Sequence, residues 1–196
     1  MKITEKDLED KRYQGSFSKQ YEGDVEIEGN LGLVSFDNIW CTGSITAGLG
    51  TYIYAVTSID AGTYINAGTS IDAGTYINAG TYIDAGESIY AGTYIDAGES
   101  IYANTSINAG THIRAVDFGI TAGYSIICKT TLSAKLRIIA GASPYQDGNN
   151  NTITCGKLES GTIVGNLVET GLPDDRPKQC HGGQTGKFCS ECGEKL

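Results

Sequence analysis

An aliphatic residue falls on every sixth position of this chain for most of its length. Isoleucine stands at 53, 59, 65, 71, 77, 83, 89, 95, 101, 107 and 113 without a break. The same spacing runs upstream through Ile27, Leu33, Ile39 and Ile45, with a two-residue insertion before Ile53. It resumes at Ile120, Ile126, Leu132 and Ile138 after a one-residue slip at "VDFG". The consensus hexad is Thr–(Ser/Tyr)–Ile–(Asp/Asn/Tyr)–Ala–Gly. A period of six excludes an amphipathic helix, whose apolar positions recur at three and four. It fits short strands that turn a corner once per hexad. Alternation along such a strand sends Ile and Ala inward and the residues flanking Ile outward. Glycine is expected at the corner to supply positive φ. The predicted fold is all-β, a β-solenoid whose rungs hydrogen-bond to one another and fold only as a stack.

The outward residues decide how many hexads close one turn. Twelve residues per turn would set Asp60 beside Asp72, Asp84 beside Asp96 and Glu87 beside Glu99, like charges one rung (~4.8 Å) apart. Eighteen residues per turn give the columns Asp60–Asn78–Asp96–Arg114, Asn66–Asp84–Tyr102 and Tyr54–Asp72–Tyr90–Asn108, in which acids alternate with neutral groups. A three-sided coil of about six turns follows. The hexads leave its handedness open.

The chain divides accordingly into an N-terminal cap (1–22), the hexapeptide solenoid (23–142), C-terminal capping strands (143–172) and a linker with a metal-binding tail (173–196). The segment "TEKDLEDKRY" is expected to form a short capping helix. After the loop "SPYQDGNNN", "TITCGKLESGTIVGNLVE" reads as two or three strands that close the far face. All three prolines lie outside the repeat, as central strands require.

The hexads resemble hexapeptide-repeat β-helices, including bacterial "SI-x-AG" repeat proteins of phages and other mobile elements, over residues 25 to 140. The resemblance supports a solenoid and a mobile-element origin. It implies no specific activity. Hexapeptide acyltransferases share the repeat, but they use a catalytic His beside long cleft-forming loops. The chain's two histidines are His112 and His181, and no insertion within the repeat exceeds two residues. His112 is expected in an outward slot above Tyr94 and Tyr76. No catalytic residues are assigned. The Thr slot, shared with Glu87 and Glu99 and flanked by bulky Tyr, makes no flat ice-binding array.

The 196-residue chain has a net charge of -9, and the charge is unevenly placed. Between Lys19 and Arg114 there is no Lys or Arg, while eleven acids fall in that interval. Nine of the twelve tyrosines lie between residues 52 and 124, mostly in outward slots. Tyr offers rigid contact area and a hydroxyl at low entropic cost. The candidate partner-binding residues are Asp60, Tyr64, Asp72, Tyr76, Tyr82, Asp84, Glu87, Tyr90, Tyr94, Asp96, Glu99 and Tyr102. Such a surface suits a basic, nucleic-acid-binding protein, much as solenoids of the pentapeptide class imitate DNA. Direct binding to nucleic acid is disfavoured, since phosphate contacts need Lys and Arg. The mobile-element resemblance suggests an anti-defence role against a bacterial nuclease or CRISPR effector. The alternative is a self-assembling scaffold similar to the bactofilins, and a homodimer through the solenoid is compatible with either.

In the tail, Cys189-x-x-Cys192 followed by Gly has the spacing of a zinc-ribbon knuckle. Cys180 adds a third thiolate, and the fourth ligand is His181 or Cys155. A structural zinc would organise a segment with almost no apolar core of its own. Cys41 and Cys128 are expected as small core residues. The charged N-terminus lacks an apolar h-region, and no stretch is long enough to span a bilayer, so a cytoplasmic location is expected.

Overall fold

The computed structural model describes residues 1–142 and 151–171. Parallel strands wind into a three-sided coil with hexads stacked in register. Ile65 lies beside Ile83, Ile71 beside Ile89 and Ile77 beside Ile95, each pair eighteen residues apart. Three hexads therefore close one turn. The first face carries seven rungs within the repeat: Val25–Ile27, Ile45–Ala47, Ile65–Ala67, Ile83–Ala85, Ile101–Ala103, Ile120–Ala122 and the far half of Thr131–Ala140. The repeat itself makes about six turns, and the end segments, which extend the coil instead of merely covering it, bring it to about seven. The second face runs through Gly32–Phe36, Thr51–Ala55, Ile71–Ala73, Ile89–Ala91, Ser106–Ala109 and Ser125–Cys128. The third runs through Ile39–Cys41, Ile59–Ala61, Ile77–Ala79, Ile95–Ala97, Ile113–Ala115 and the near half of Thr131–Ala140.

Within each three-residue strand, the first and third side chains are buried. Every Ile from 53 to 113 in the hexad series is at most 1% exposed, and the alanines beside them are buried too. Fully burying one such Ile contributes about 1.5–3 kcal/mol. Insertions and slips are absorbed at corners. The turn from Ile45 to Ile65 has twenty residues, and its extra pair bulges so that Leu49 is 80% exposed while Gly50 takes φ +72°.

The repeat glycines do not serve the purpose expected of them. None of the glycines from 62 to 110 has positive φ. Each instead sits against the carbonyl of the rung below. A Cβ on Gly80 would overlap the Gly62 carbonyl oxygen, and one on Gly92 would overlap that of Gly74. Glycine is selected by close approach of backbones between rungs. The corner threonines complete the turn. Thr75 Oγ1 donates to Thr57 O (2.8 Å), Thr93 Oγ1 to Thr75 O (2.8 Å) and Thr111 Oγ1 to Thr93 O (2.9 Å). Those hydroxyls tie successive coils together.

The N-terminal segment forms no α-helix. Thr4 and Asp7 close a single 3₁₀ turn at Glu5–Asp7, where Asp7 Oδ2 accepts from both the Thr4 amide and hydroxyl. Asp10 and Lys11 then take φ of 47° and 67°, and the chain reverses into a hairpin of Leu8–Glu9 with Arg12–Tyr13. Two consecutive positive-φ residues are the geometry of a tight two-residue hairpin and cannot continue a helix. Lys2–Ile3 adds a parallel strand beside Val25–Ile27. Tyr13, Phe17 and Phe36 pack ring to ring at 5.5–6.1 Å and plug this end. At the other end, Thr152–Cys155, Lys157–Val164 and Asn166–Glu169 prolong the same parallel ladders.

Gly92→Ala is expected to lower stability by about 1–3 kcal/mol, the cost of overpacking a filled site, although Gly→Ala at an open helical or extended position usually stabilises. Urea denaturation at equilibrium checks the sign. A stabilised Ala variant would contradict the close-approach explanation.

Candidate functional site

The register places the outward side chains in columns, and these are the columns derived from charge alternation. The first face bears Glu26–Thr46–Asn66–Asp84–Tyr102–Thr121. The second bears Tyr54–Asp72–Tyr90–Asn108–Ile127. The third bears Trp40–Asp60–Asn78–Asp96–Arg114–Ser133. No two acids are neighbours in any of them.

The twelve candidate residues consequently do not form one wall. Tyr64, Tyr82, Asp84 and Tyr102 lie on the first face. Asp60, Tyr76, Tyr94 and Asp96 lie on the third, and Glu99 stands at the corner between these two. Asp72 and Tyr90 lie on the second face, with Glu87 at the corner leading to it. The hexad phase assigns each residue's direction, but sides are visited in rotation, so neighbours in sequence land on different faces.

Beside these columns run stacks of rings. Tyr64 and Tyr82 lie 4.8 Å apart and 7° from parallel on the first face. On the third face Tyr76, Tyr94 and His112 form a three-ring stack at 5.0 Å steps, within 4° of parallel. Stacking consumes the ring faces between rungs, leaving edges and polar tips for solvent or a partner. Burial raises the phenol pKa of Tyr82, helped by Tyr64, Asp84 and Glu99. Burial likewise raises that of Tyr94, helped by Tyr76, Asp96 and Asp60. Both hydroxyls are therefore protonated donors at neutral pH. Tyr52 OH donates to Asp72 Oδ2 at 2.8 Å, and burial followed by this bond pushes its pKa up as well.

The carboxylates differ in their surroundings. Arg114 donates to Asp96 Oδ2 at 3.1 Å, while His112 Nε2 lies 3.4 Å from Asp96 Oδ1. Asp60 and Asp84 have no cationic neighbour among the described residues, and burial beside the ring stacks raises their pKa, partly offset at Asp60 by Asn78. Glu26 pairs with Lys2 and Asp37 with Arg12. The other eight acids of the cation-free interval make no ion pair among the described residues.

Trp40 was not among the candidates, although it occupies the outward slot of the hexad "NIWCTG". It is 39% exposed beside Asp60. Val116, Phe118 and Leu136 project where the rhythm slips at "VDFG", each about half exposed. The slip itself marks that corner in the sequence.

Cys41 and Cys128 are buried core residues, as their hexad phase requires. Cys155 is 0% exposed, one rung beyond Cys128 in the same inward column. It points into the coil. Cys180, His181, Cys189 and Cys192 lie outside the described residues, as does the linker with Pro173 and Pro177. Among the described residues no three His, Cys, Asp or Glu side chains converge as a metal site, and no helix is long and apolar enough to cross a membrane. No family model, curated protein or solved structure matches the chain.

A carboxylate whose pKa is raised by folding contributes stability that is present below its unfolded pKa and lost as pH rises through the folded value. Asp84→Asn is accordingly expected to raise the urea midpoint at neutral pH. The advantage over the parent should vanish below about pH 4, near the ordinary Asp pKa. A gain that is the same at both pH values would refute burial of the charge as its cause.

Proposed function

We propose that the chain is a non-enzymatic binding protein that docks its first and third faces on a basic, nucleic-acid-binding protein and inhibits it. The observation that carries this reading is the cation-free interval from residue 20 to 113. Its acids are spread at rung spacing over a rigid coil, and most of them make no ion pair among the described residues. The two faces meet at the corner of Glu99, and together they present Asp60 and Asp84 beside the hydroxyls of stacked tyrosines. Low-entropy phenols and fixed carboxylates complement Arg and Lys side chains without first having to be ordered. Asp96, already neutralised by Arg114, contributes less than its neighbours. An anti-defence role in a bacterial cytoplasm, against a nuclease or CRISPR effector, is the setting this chemistry fits. A scaffold built end to end is less well supported, because the aromatic plug of Tyr13, Phe17 and Phe36 occupies one of the two ends it would need.

Capture from bacterial lysate on the immobilised chain tests the proposal. Basic nucleic-acid-binding proteins should be retained at ~0.1 M salt and released at ~1 M, where the screening length falls to about 3 Å. The pair Asp84→Asn with Glu99→Gln should weaken retention several-fold, while Asp72→Asn on the second face should leave it unchanged. Retention that ignores salt, or prey unrelated to nucleic acid, would defeat the idea.

The tail belongs to the same reading: Cys180, His181, Cys189 and Cys192 would hold one structural zinc and orient the rod on its target. Elemental analysis of the purified chain should find one zinc per chain, and Cys189→Ser should lose it. A metal-free parent protein rules the site out.

A further inference from the structure

The two ends of the coil are built differently. The N-terminal end is irregular and filled, with an antiparallel hairpin and a Phe17 side chain only 4% exposed. At the C-terminal end the last rung continues the parallel ladders, with register shifts between Leu132 and Arg137 of the rung above. Lys157–Val164 and Asn166–Glu169 pair with the rung above, and among the described residues no strand pairs with their outer edges. The inward residues of this rung, Leu158, Ile163 and Leu167, are only partly buried, whereas every Ile of the hexad series above them is sealed. One edge donor is satisfied locally, the Leu158 amide giving to Glu169 Oε1 at 2.6 Å. The remaining edge and its apolar floor form a template for a further strand.

The chain beyond Gly171 is poorly suited to fill that role. Pro173 and Pro177 follow at once, and proline cannot donate to a ladder. Up to Leu196 the large apolar residues are Leu172, Phe188 and Leu196. A second copy of the same end supplies a strand of matching length. We infer that two chains join C-terminal end to C-terminal end about a two-fold axis, their last rungs pairing antiparallel into one continuous solenoid.

The last rung is self-complementary under that operation. A two-fold axis in the plane of the rung, through the corner at Ser160 and Gly161, lays the third face of one copy over the first face of the other. Leu158 then opposes Ile163 of the second copy, inward side chain to inward side chain. Lys157 opposes Val164, and Glu159 opposes Thr162, so no like charges meet. The contact is isologous and closes at two chains. The plugged N-terminal ends stop further growth. This inference is independent of the partner proposed above and survives its failure.

Sedimentation equilibrium of the full chain tests it. The expected mass is twice the 20.7 kDa of one chain, unchanged by a chelator. Val164 points outward and is 46% exposed, so its replacement leaves the monomer's core intact. Val164→Lys would set a lysine against Lys157 of the opposite copy at each of the two symmetry-related contacts and should weaken the dimer about tenfold. Val164→Glu, which would pair with Lys157, should leave it as tight or tighter. A monomeric parent chain, filaments, loss of the dimer on chelation, or equal effects of Lys and Glu at position 164 would each overturn the inference.

Discussion

Parallel, in-register stacking is the constraint on which the rest of this molecule depends. Because each rung repeats the backbone of the one before, every side chain meets its counterpart three hexads away. Ile therefore packs on Ile through the length of the core, and the inter-rung hydrogen bonds hold that alignment. The same closeness of backbones forbids a Cβ at the Gly80 and Gly92 corners. It also brings each corner Thr hydroxyl within reach of the carbonyl one coil earlier. Core, corner and edge of the hexad answer to a single spacing.

That spacing also governs the surface. Stacking like on like stabilises aromatic rings and destabilises like charges, so the outward columns had to solve both demands at once. Tyrosines occupy successive rungs, as in Tyr76 above Tyr94, and His112 joins the end of the same pile. Acids are separated by Asn, Tyr or Thr in every column. A coil of three hexads accommodates this arrangement, whereas one of two would have set Asp60 against Asp72. Surface electrostatics thus selects among folds that the apolar pattern alone permits. The exception is Asp96, which takes the first cation to follow the acidic interval.

The ends obey different rules. At the N-terminus the repeat gives way to a segment whose charged residues suggested a helix, yet Asp10 and Lys11 reverse the chain after one turn. The competing influence was tertiary, since Tyr13 and Phe17 gain a place over Phe36 only if the chain doubles back. At the C-terminus the strand composition of residues 152–169 was readable. That these strands lengthen the coil was not, because a strand that extends a ladder and one that merely covers its end have the same alternation.

The sequence by itself determined the hexad phase and buried residues from Ile39 onward, the three-sided section and even the partners within each column. Upstream the phase slips, since Leu33 is exposed while Val34 and Val25 fill the inward slots beside Ile53 and Ile45. A strict period leaves few ways to place Ile inward and keep like charges apart. Only the tertiary structure decided which outward residues share a face, why glycine stands at the corners, and that Cys155 points into the core. Those properties depend on the path between strands and on distances between rungs. Neither is encoded in the order of residues along one hexad.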